Sequence, residues 1–471
     1  MIQEKATRKD WLGLAVLVIP ILLVSMDVTV LFLALPKIAA DLQPSSSQVL
    51  WILDMYGFVL AGLLITMGAI GDRIGRRRLL LAGATTFGIA SVIAAFSTSA
   101  EMLIAARFLL GIGGATLAPS TLSLIRNMFH DEKERRSAIG YWTAGFAGGA
   151  ALGPVIGGFL LENFEWGTVF LINVPVMISL LVLGPRLLPE FRDPNPGKFD
   201  PASVLLSMAG LLLITYGIKH GAEHGIDLMM TWTLLLGAVL TTTFVLRQIR
   251  LPNPLIDVDL FRSSRFSTSI AIFTLAIFSL VGFSLFSSQY LQQVVGLGPL
   301  RAGLWSLIPG VFAAVGSIIA PSLSQRFSVG SVITSGLILI GTGSVILTFL
   351  QVDSGLPLLL FGQSILFVGI SGVAALASDL VLSQAPKERA GAASALSETG
   401  AELGGAPGIA LLGSLGAWVY RDQLTNGMPA ELPPEVRDTA LDGIGNAIAI
   451  APTLPEPIAE SLRSISQSAF V

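Results

Sequence analysis

Charged residues and cysteines are scarce in this sequence. Only 13% of its 471 residues are charged, against about 25% in an ordinary soluble domain, which is too little to keep a soluble globule of this length dispersed. Cysteine is absent and histidine occurs three times, so disulfides, cysteine-based zinc sites, iron–sulfur clusters and thiol nucleophiles are excluded. These shortages argue against a soluble enzyme and indicate a polytopic membrane protein.

The sequence also lacks features that would point to ATP or to nucleic acid. No G-x-x-x-x-G-K-[ST] run occurs, so the commonest cradle for ATP phosphates is missing. A formal net charge of −3 gives no sign of a nucleic-acid partner. We therefore expect neither a cofactor nor a metal site, and we expect work driven by an ion gradient, most simply of protons.

Apolar residues dominate what is present, with 53% hydrophobic residues and a mean hydropathy of +0.76. A helix needs about 20 of them to cross a bilayer. Thirteen segments meet this requirement: 11–35, 49–70, 79–97, 102–126, 138–161, 167–188, 202–219, 231–248, 266–290, 303–323, 329–350, 357–380 and 390–420. Residues 421–465 then read as an outer loop, and the apolar run from Ser468 predicts the start of a fourteenth helix that the sequence does not contain.

Lysine and arginine set the predicted orientation, because the cytoplasmic loops of membrane proteins collect positive charge. With the N-terminus inside, 21 of the 28 basic residues fall on the inner side, and six fall outside, Lys219 among them. Arg107 lies within a span. The sequence thus predicts a multi-pass protein with a cytoplasmic N-terminus.

A weak internal repeat indicates two related halves. The inner loop after the second span reads GAIGDRIGRRR from Gly68, and the loop after the tenth reads PSLSQRFSVGS from Pro321. Two related bundles are the usual plan of a secondary transporter. We therefore predict an all-α membrane protein with a six-helix bundle in 1–190, two inserted membrane helices in 191–260, and a second bundle in 261–471.

Two ionisable residues lie at similar depth within the first and fourth spans. An ionisable side chain there costs roughly 2.5–3.5 kcal/mol on insertion scales. Asp27 is about 13 Å and Arg107 roughly 10 Å below the outer surface at 1.5 Å per residue. They could form a structural ion pair between two helices, or a substrate or proton site that the arginine tunes.

Glu398 and Glu402 are four residues apart in the last span, so they share one helical face near the midplane. Two like charges there cannot easily both ionise, so at least one should hold a proton near neutral pH. A proton-coupled carrier needs such a group. The alternative is a glutamate that only forms a hydrogen bond with a neighbouring helix.

Asp54 follows Trp51 at the start of the second span. Anchoring at the interface and the helix dipole would explain both residues, and a role in substrate access is the alternative.

Two motifs suggest conformational roles. Small residues and a proline form one stripe of the fifth span, which is either packing or a pivot: Gly149, Gly153, Pro154, Gly157 and Gly158. An acid within a basic run follows the second span, which is either a positive-inside anchor or a turn held by ion pairs: Asp72, Arg73, Arg76, Arg77 and Arg78.

With these motifs together, the sequence resembles the major facilitator superfamily and, more narrowly, the fourteen-helix drug/proton antiporters of the QacA and LfrA type. The resemblance is carried by the loop motif from Gly68 to Arg78, the fourth-span motif from Arg107 to Ala115, the fifth-span motif from Gly149 to Gly158, the first-span signature from Asp27 to Pro36, and LWILDMY from Leu50 to Tyr56.

The resemblance implies a monomeric antiporter in a bacterial inner membrane that exports lipophilic cationic drugs in exchange for protons. Substrate binding would fall to Asp27, Trp51, Asp54 and Tyr56, and proton coupling to Asp27, Arg107, Glu398 and Glu402. Gating would fall to Asp72 with its arginines and to the fifth-span stripe. Membrane lipids surround it.

Two departures narrow the expected substrates. Relatives can carry adjacent acids in the last span, where this chain has Ser397, and an acid in the tenth span, where the stretch Gly310 to Ile319 has none. We therefore expect monovalent cations. The alternatives are a nutrient or metabolite importer of the same fold, which would need more polar spans, and a receptor or assembly protein, which would leave the Glu398–Glu402 pair unexplained.

Overall fold

The computed structural model describes residues 5–192, 200–251, 254, 258–384, 390–428 and 432–471, and this part of the chain is almost entirely helical. Its α-helices are α1 Arg8–Leu42, α2 Ser46–Ile74, α3 Arg76–Ala95, α4 Ala100–Met128, α5 Glu132–Asn163, α6 Thr168–Leu171, α7 Asn173–Leu187, α8 Pro201–His224, α9 Leu228–Arg250, α10 Ser264–Gln289, α11 Pro299–Leu323, α12 Val329–Leu347, α13 Gly355–Gln384, α14 Ala390–Gly427, α15 Pro434–Leu441, α16 Ile444–Ile450 and α17 Glu456–Phe470.

Thirteen segments of the described chain are long and apolar enough to cross a membrane, with α6 and α7 together forming the sixth. This confirms the thirteen predicted spans. Local sequence sets several of the helix starts. The Thr7 and Ser45 side chains cap α1 and α2 in reciprocal capping boxes, and Asp200 caps α8 with Pro201 in its first turn.

The first seven helices form one bundle. In it α1 packs on α5 and α7, and α4 packs on α2 and α3. Its interior is filled by large side chains with almost no exposed surface, such as Leu17, Phe87 and Phe170. The second bundle consists of α10 to α14, with α13 packed against α10, α11 and α12. The two bundles meet where α2 lies on α14 and α5 on α11.

The pair α8 and α9 lies beside the two bundles. The helices approach closely at glycines, because a Cβ on Gly210 would meet Thr241 and one on Gly237 would meet Ile214. At the inner end, Arg247 donates two hydrogen bonds to Asp200, from Nε at 3.0 Å and from Nη2 at 2.9 Å. The helix α8 packs against both α2 and α14, so this inserted helix touches both bundles.

The segment after α14 differs from the predicted outer loop. The helix α14 continues to Gly427, and the described residues beyond it form mostly short helices. The apolar residues from Ser468 belong to α17, which begins at Glu456. The physical reason is that α17 is amphipathic: it buries Ala459, Leu462 and Ala469 and packs against α14 and α16.

Candidate functional site

Asp27 of α1 and Arg107 of α4 form an ion pair inside the first bundle, between Arg107 Nη1 and Asp27 Oδ2. The exposed fraction of the two side chains is 4% and 1%. Their similar depth in the sequence predicts this proximity. Both residues are therefore removed from water and from lipid, and each charge has its counter-charge at hydrogen-bonding distance.

Arg107 also binds the backbone of α2. Its Nε donates to the Ile52 carbonyl at 3.0 Å, and its Nη2 donates to the Leu53 carbonyl at 3.4 Å. The guanidinium carbon lies 4.8 Å from the centre of the buried Tyr56 ring. One arginine thus joins α1, α2 and α4, and its planar fork suits this set of acceptors.

A second buried ion pair lies beside the first. Lys219 Nζ of α8 donates to Asp54 Oδ1 at 2.8 Å, and both side chains are fully buried. The same ammonium lies 3.9 Å from the centre of the Trp51 ring. Asp54 and Trp51 thus form a receptor for a cation, with a carboxylate on one side and an aromatic face on the other.

This second pair corrects two interpretations of the sequence. The count of positive charges places Lys219 outside, at the end of the predicted span 202–219, but α8 continues to His224 and buries it. Asp54 is likewise not an interfacial anchor, since it is 1% exposed. The signal that could have found the pair is a basic residue in the last turns of one span opposite an acid in the first turns of another.

The two ion pairs lie next to each other, and their charges sum to zero. Arg107 binds the carbonyls of Ile52 and Leu53, immediately before Asp54. Two carboxylates and two cations give the group no net charge when all are ionised. Asp54 Oδ2 is buried and has no hydrogen-bond partner in the described part of the chain, so this carboxylate keeps one free acceptor.

The helix α2, which carries Asp54, also lines a largely apolar cavity of about 340 Å³, although none of the four charged residues does. Residues of α1, α2, α10 and α14 line it, and α2 contributes Leu50 and Leu53 to its wall. Phe286, Tyr420 and Phe470 supply aromatic surface. A smaller cleft shares Leu50 with this cavity and contains Lys219, Ser414 and Arg421.

The arginines that follow α2 contact the end of α7. Gly75 makes the turn with φ 112°, a conformation that favours glycine. Arg77 Nη1 donates to the Leu188 carbonyl at 2.9 Å, and Arg77 and Arg78 each place Nε within 4 Å of Glu190 Oε2, at 3.7 and 3.8 Å. The sequence pattern does not reveal Glu190, the acid that holds this turn, because it lies more than a hundred residues away.

Arg73 and Arg76 belong to the same inner turn. Arg76 is nearly buried, and its backbone N–H donates to the Phe191 carbonyl at 2.8 Å. The side chain of Asp72 lies outside the part that the structure describes.

The small-residue stripe of α5 faces two different neighbours. A Cβ on Gly149 would strike the backbone of Leu22, and one on Gly157 would meet the side chain of Val30. Gly153 lies against Thr29 in the same helix α1. Gly158 instead lies against the backbone of Leu300, since a Cβ added there would come within 2.7 Å of the Leu300 Cα. The helix α5 therefore joins α1 of its own bundle to α11 of the other.

Pro154 contributes to the same inter-bundle contact. A Cβ on Gly303 of α11 would collide with the Pro154 carbonyl, whose helix lacks one ladder hydrogen bond at the proline. Glu398 and Glu402 belong to α14, but their side chains lie outside the described residues. That at least one of them holds a proton near neutral pH therefore stays a prediction.

Comparison with known proteins decides the family. The profile of the Major Facilitator Superfamily matches residues 17–409. The chain belongs to the major facilitator superfamily. It is 43% identical to the multidrug efflux pump LfrA of Mycolicibacterium smegmatis over 99% of this chain and 92% of that one. It is 36% identical to the methyl viologen resistance protein SmvA of Salmonella typhimurium over 98% and 93% of the two chains.

A solved structure supports the fold of this major facilitator. A bacterial homologue of the human lysosomal transporter Spinster, in an inward-facing conformation, has a TM-score of 0.66 and 18% identity, over 99% of this chain and 95% of that one. The protein is therefore a multi-pass membrane transporter of the superfamily, and its relatives are efflux pumps. Neither the family nor the fold is that of an enzyme.

Proposed function

We propose that this protein exports lipophilic monovalent cations in exchange for protons, by alternating access in the inner membrane of a bacterium. The observation that carries the proposal is that Trp51 and Asp54 already hold a cation, the ammonium of Lys219, at 3.9 Å from the ring centre and 2.8 Å from the carboxylate. A site that accommodates this ammonium also suits a quaternary ammonium or a cationic dye.

The surroundings of Asp54 suit the rest of such a molecule. The apolar cavity of about 340 Å³ shares Leu50 and Leu53 with the helix that carries Asp54. Such a wall favours lipophilic groups, and a desolvated contact with an aromatic ring adds roughly 2 kcal/mol for the cationic head. The names of the relatives, a multidrug efflux pump and a methyl viologen resistance protein, support export of this class.

Charge balance supports a single positive charge on the substrate. The group formed by Asp27, Arg107, Asp54 and Lys219 sums to zero, so a bound monovalent cation adds one positive charge, which the loss of one proton balances. We assign Asp27 to proton coupling rather than to direct cation contact, because Arg107 already binds it. The ring of Tyr56 packs against the guanidinium of Arg107.

The proposed cycle couples the two ions by competition. In the inward-facing state the carrier releases protons from Asp27, Glu398 and Glu402 and binds the cation at Asp54. It then turns outward, where external protons reload the carboxylates and the cation leaves. Because a cation at Asp54 and a proton on Asp27 both add positive charge to the same group of buried side chains, binding of one lowers the affinity for the other. The protein works as a monomer with its N-terminus in the cytoplasm and lipids around it.

Two contacts are proposed to control the conformational change. The turn formed by Asp72, Arg73, Arg76 and Arg77 stabilises the inner face, and its hold on Glu190 is observed for Arg77. The stripe of Gly149, Gly153, Pro154, Gly157 and Gly158 lets α5 move against α1 and α11, since the glycines of α5 place no side chain of their own between the helices there.

The proposal is tested by ethidium accumulation in inverted membrane vesicles. Energised vesicles with the wild-type protein should accumulate ethidium, and a protonophore should abolish the accumulation. Asp54→Asn should abolish it, and Asp353→Asn, which changes an exposed acid in the short 3-10 helix Val352–Ser354, should not. Accumulation that survives the protonophore would contradict proton coupling, and a wild-type protein that accumulates no cation would contradict cation export.

Glu398→Gln tests the predicted coupling role in the same vesicles. We expect ethidium still to bind and the pH dependence of transport to disappear, since the variant cannot carry the proton. An unchanged pH dependence would remove Glu398 from the coupling set.

A further inference from the structure

Lys219 is the one member of the charged group that comes from outside the two bundles. It lies on α8, the inserted helix that contacts both α2 and α14, and its side chain is fully buried. Both groups that hold it, Asp54 and Trp51, belong to α2. The inserted pair of helices thus places a tethered cation in the site where the proposed substrate binds.

We propose that Lys219 is a built-in competitor of the substrate, which fills the cation site when no substrate is bound and gives up a proton when the substrate replaces it. The inference rests on the proposed cation export and assigns a task to the inserted helices. The Nζ–H bond breaks, its electron pair stays on nitrogen, and the proton passes to water. Lys219 then returns to the ammonium by taking a proton before the site is used again.

Charge balance selects Lys219 as the source of the proton. With Asp27, Arg107, Asp54 and Lys219 ionised the group is neutral, and a bound monovalent cation would leave one uncompensated positive charge in a low-dielectric interior. Loss of one proton restores neutrality. Arg107 cannot supply it, because a guanidinium does not deprotonate in proteins. A lysine amine can, and burial without a counter-charge disfavours its charged form.

The described acids next to the cleft that contains Lys219, and after the end of α8, already contact other basic side chains. On the α14 side the small cleft contains Ser414 and Arg421, and a nearby guanidinium repels an ammonium. Arg421 itself lies 3.4 Å from Asp442. On the α9 side, the Asp227 carboxylate is 2.8 Å from His220. The side chains of Glu223 and His224, in the last turn of α8, lie outside the described part.

Ser414 supplies a partner for the neutral amine. Its Oγ is buried and has no hydrogen-bond partner among the described residues, and it lines the cleft that contains Lys219. A hydroxyl can donate to the lone pair of an uncharged amine and accept from its N–H. The Oδ2 atom of Asp54 has no hydrogen-bond partner among the described residues. The substrate cation would contact the carboxylate through this atom.

The experiment measures tetraphenylphosphonium binding and proton release together, on the purified full-length protein in weakly buffered detergent solution with a pH-sensitive dye. We expect the wild type to release about one proton per cation bound, by the charge balance above. Lys219→Arg keeps the charge but cannot lose it, so it should bind about tenfold or more weakly and release no proton.

Lys219→Gln removes the competitor and supplies the second test. It should bind tetraphenylphosphonium about tenfold or more tightly than the wild type at alkaline pH, because a buried carboxylate without a partner gains most from a bound cation. Lys37→Gln is the matched control, since Lys37 contacts the Leu161 carbonyl at the outer end of α1, and it should behave as the wild type. Thermal unfolding shows whether each variant is folded.

The outcomes separate the two proposals. Equal affinities in wild type, Lys219→Gln and Lys219→Arg, or undiminished proton release by Lys219→Arg, would overturn the role of Lys219 and leave cation export standing. Binding by Lys219→Gln alone would show that the lysine occludes the site and would support the inference. If no folded variant binds the probe and vesicles accumulate no ethidium, cation export fails and the inference fails with it.

Discussion

Each of the two buried ion pairs joins an aspartate to a basic residue, but the basic residues differ and so do their other contacts. Arg107 binds Asp27 and two carbonyls of α2, so its donors are distributed over two neighbouring helices. Lys219 has one anionic partner, Asp54, and an aromatic face. The arginine side chain belongs to the first bundle, whereas the lysine comes from the inserted helix α8.

This difference teaches how a membrane bundle can use one kind of interaction for two purposes. A guanidinium that keeps its proton and also donates to two backbone carbonyls makes a permanent joint between α4 and α2, which remains when Asp27 takes up a proton in the proposed cycle. An ammonium with a single anionic partner can be replaced by another cation, because only that one ion pair has to break. The following experiments test two expectations. Arg107 should hold neighbouring helices together, and a substrate cation should be able to replace Lys219 at Asp54.

The largest effect is expected on folding, from Arg107→Ala. The substitution leaves Asp27 buried without its partner and removes two hydrogen bonds to α2, so the free energy of unfolding should fall by about 3–5 kcal/mol. Thermal unfolding in detergent measures it, with Lys219→Ala as the matched change in the other pair. Should Lys219→Ala destabilise the protein more than Arg107→Ala, the assignment of the permanent joint is wrong.

The next largest effect is expected on binding, from Asp54→Asn. It removes the carboxylate of the cation site, and loss of one partner of a buried charge pair costs about 2–5 kcal/mol, so binding of tetraphenylphosphonium should become undetectable. Asp27→Asn should abolish transport and leave binding measurable, because Asp27 contacts Arg107 rather than the substrate. Equilibrium binding on folded protein measures both. Comparable loss of binding in the two variants would mean that the two pairs form one site.

A smaller effect is expected from the aromatic ring of each pair. Trp51→Leu should weaken cation binding by roughly 0.5–2 kcal/mol, the range of a cation–π contact. Tyr56→Leu removes the ring beneath Arg107 and should lower the melting temperature without changing the dissociation constant. Binding and melting curves on the same preparations separate the two. A shift in affinity for Tyr56→Leu alone would reverse the roles of the rings.

The first pair could be predicted from the sequence, and the second could not. Asp27 and Arg107 both lie well inside apolar stretches, so counting residues from the helix ends gives their depth. Lys219 lies five residues from the end of α8, where a count of positive charges assigns a lysine to the outside. Its burial depends on α8 packing against α2 and α14, which is a tertiary fact.

The same distinction holds for the fold. The thirteen spans follow from length and hydropathy, which are local. The short helices after α14 could not be predicted, because the apolar residues of α17 form one buried face that appears only when Ala459, Leu462 and Ala469 are considered together. Glu190 escapes a reading of the sequence because its contact with Arg77 joins positions far apart in the chain.

The smallest effect is expected from Arg247→Gln, at the inner end of the helix pair that carries Lys219. The hydrogen bonds from Arg247 lower the pKa of Asp200 from its ordinary 3.8 to about 2. A lowered carboxyl pKa stabilises the folded state above pH 3.8, and this stabilisation is lost as the pH falls towards 2. The partly exposed position of Arg247 limits its size.

Melting temperatures of wild type and Arg247→Gln should therefore differ slightly above pH 4, and the two curves should converge as the pH approaches 2. Tetraphenylphosphonium binding by Arg247→Gln sharpens the comparison of the two ion pairs. If α8 holds Lys219 in the cation site, a looser inner end should tighten cation binding slightly, because the competitor is held less firmly. The Asp27–Arg107 pair does not involve α8 and should be unaffected. An unchanged affinity for the cation would show that packing against α2 and α14 is sufficient to position Lys219.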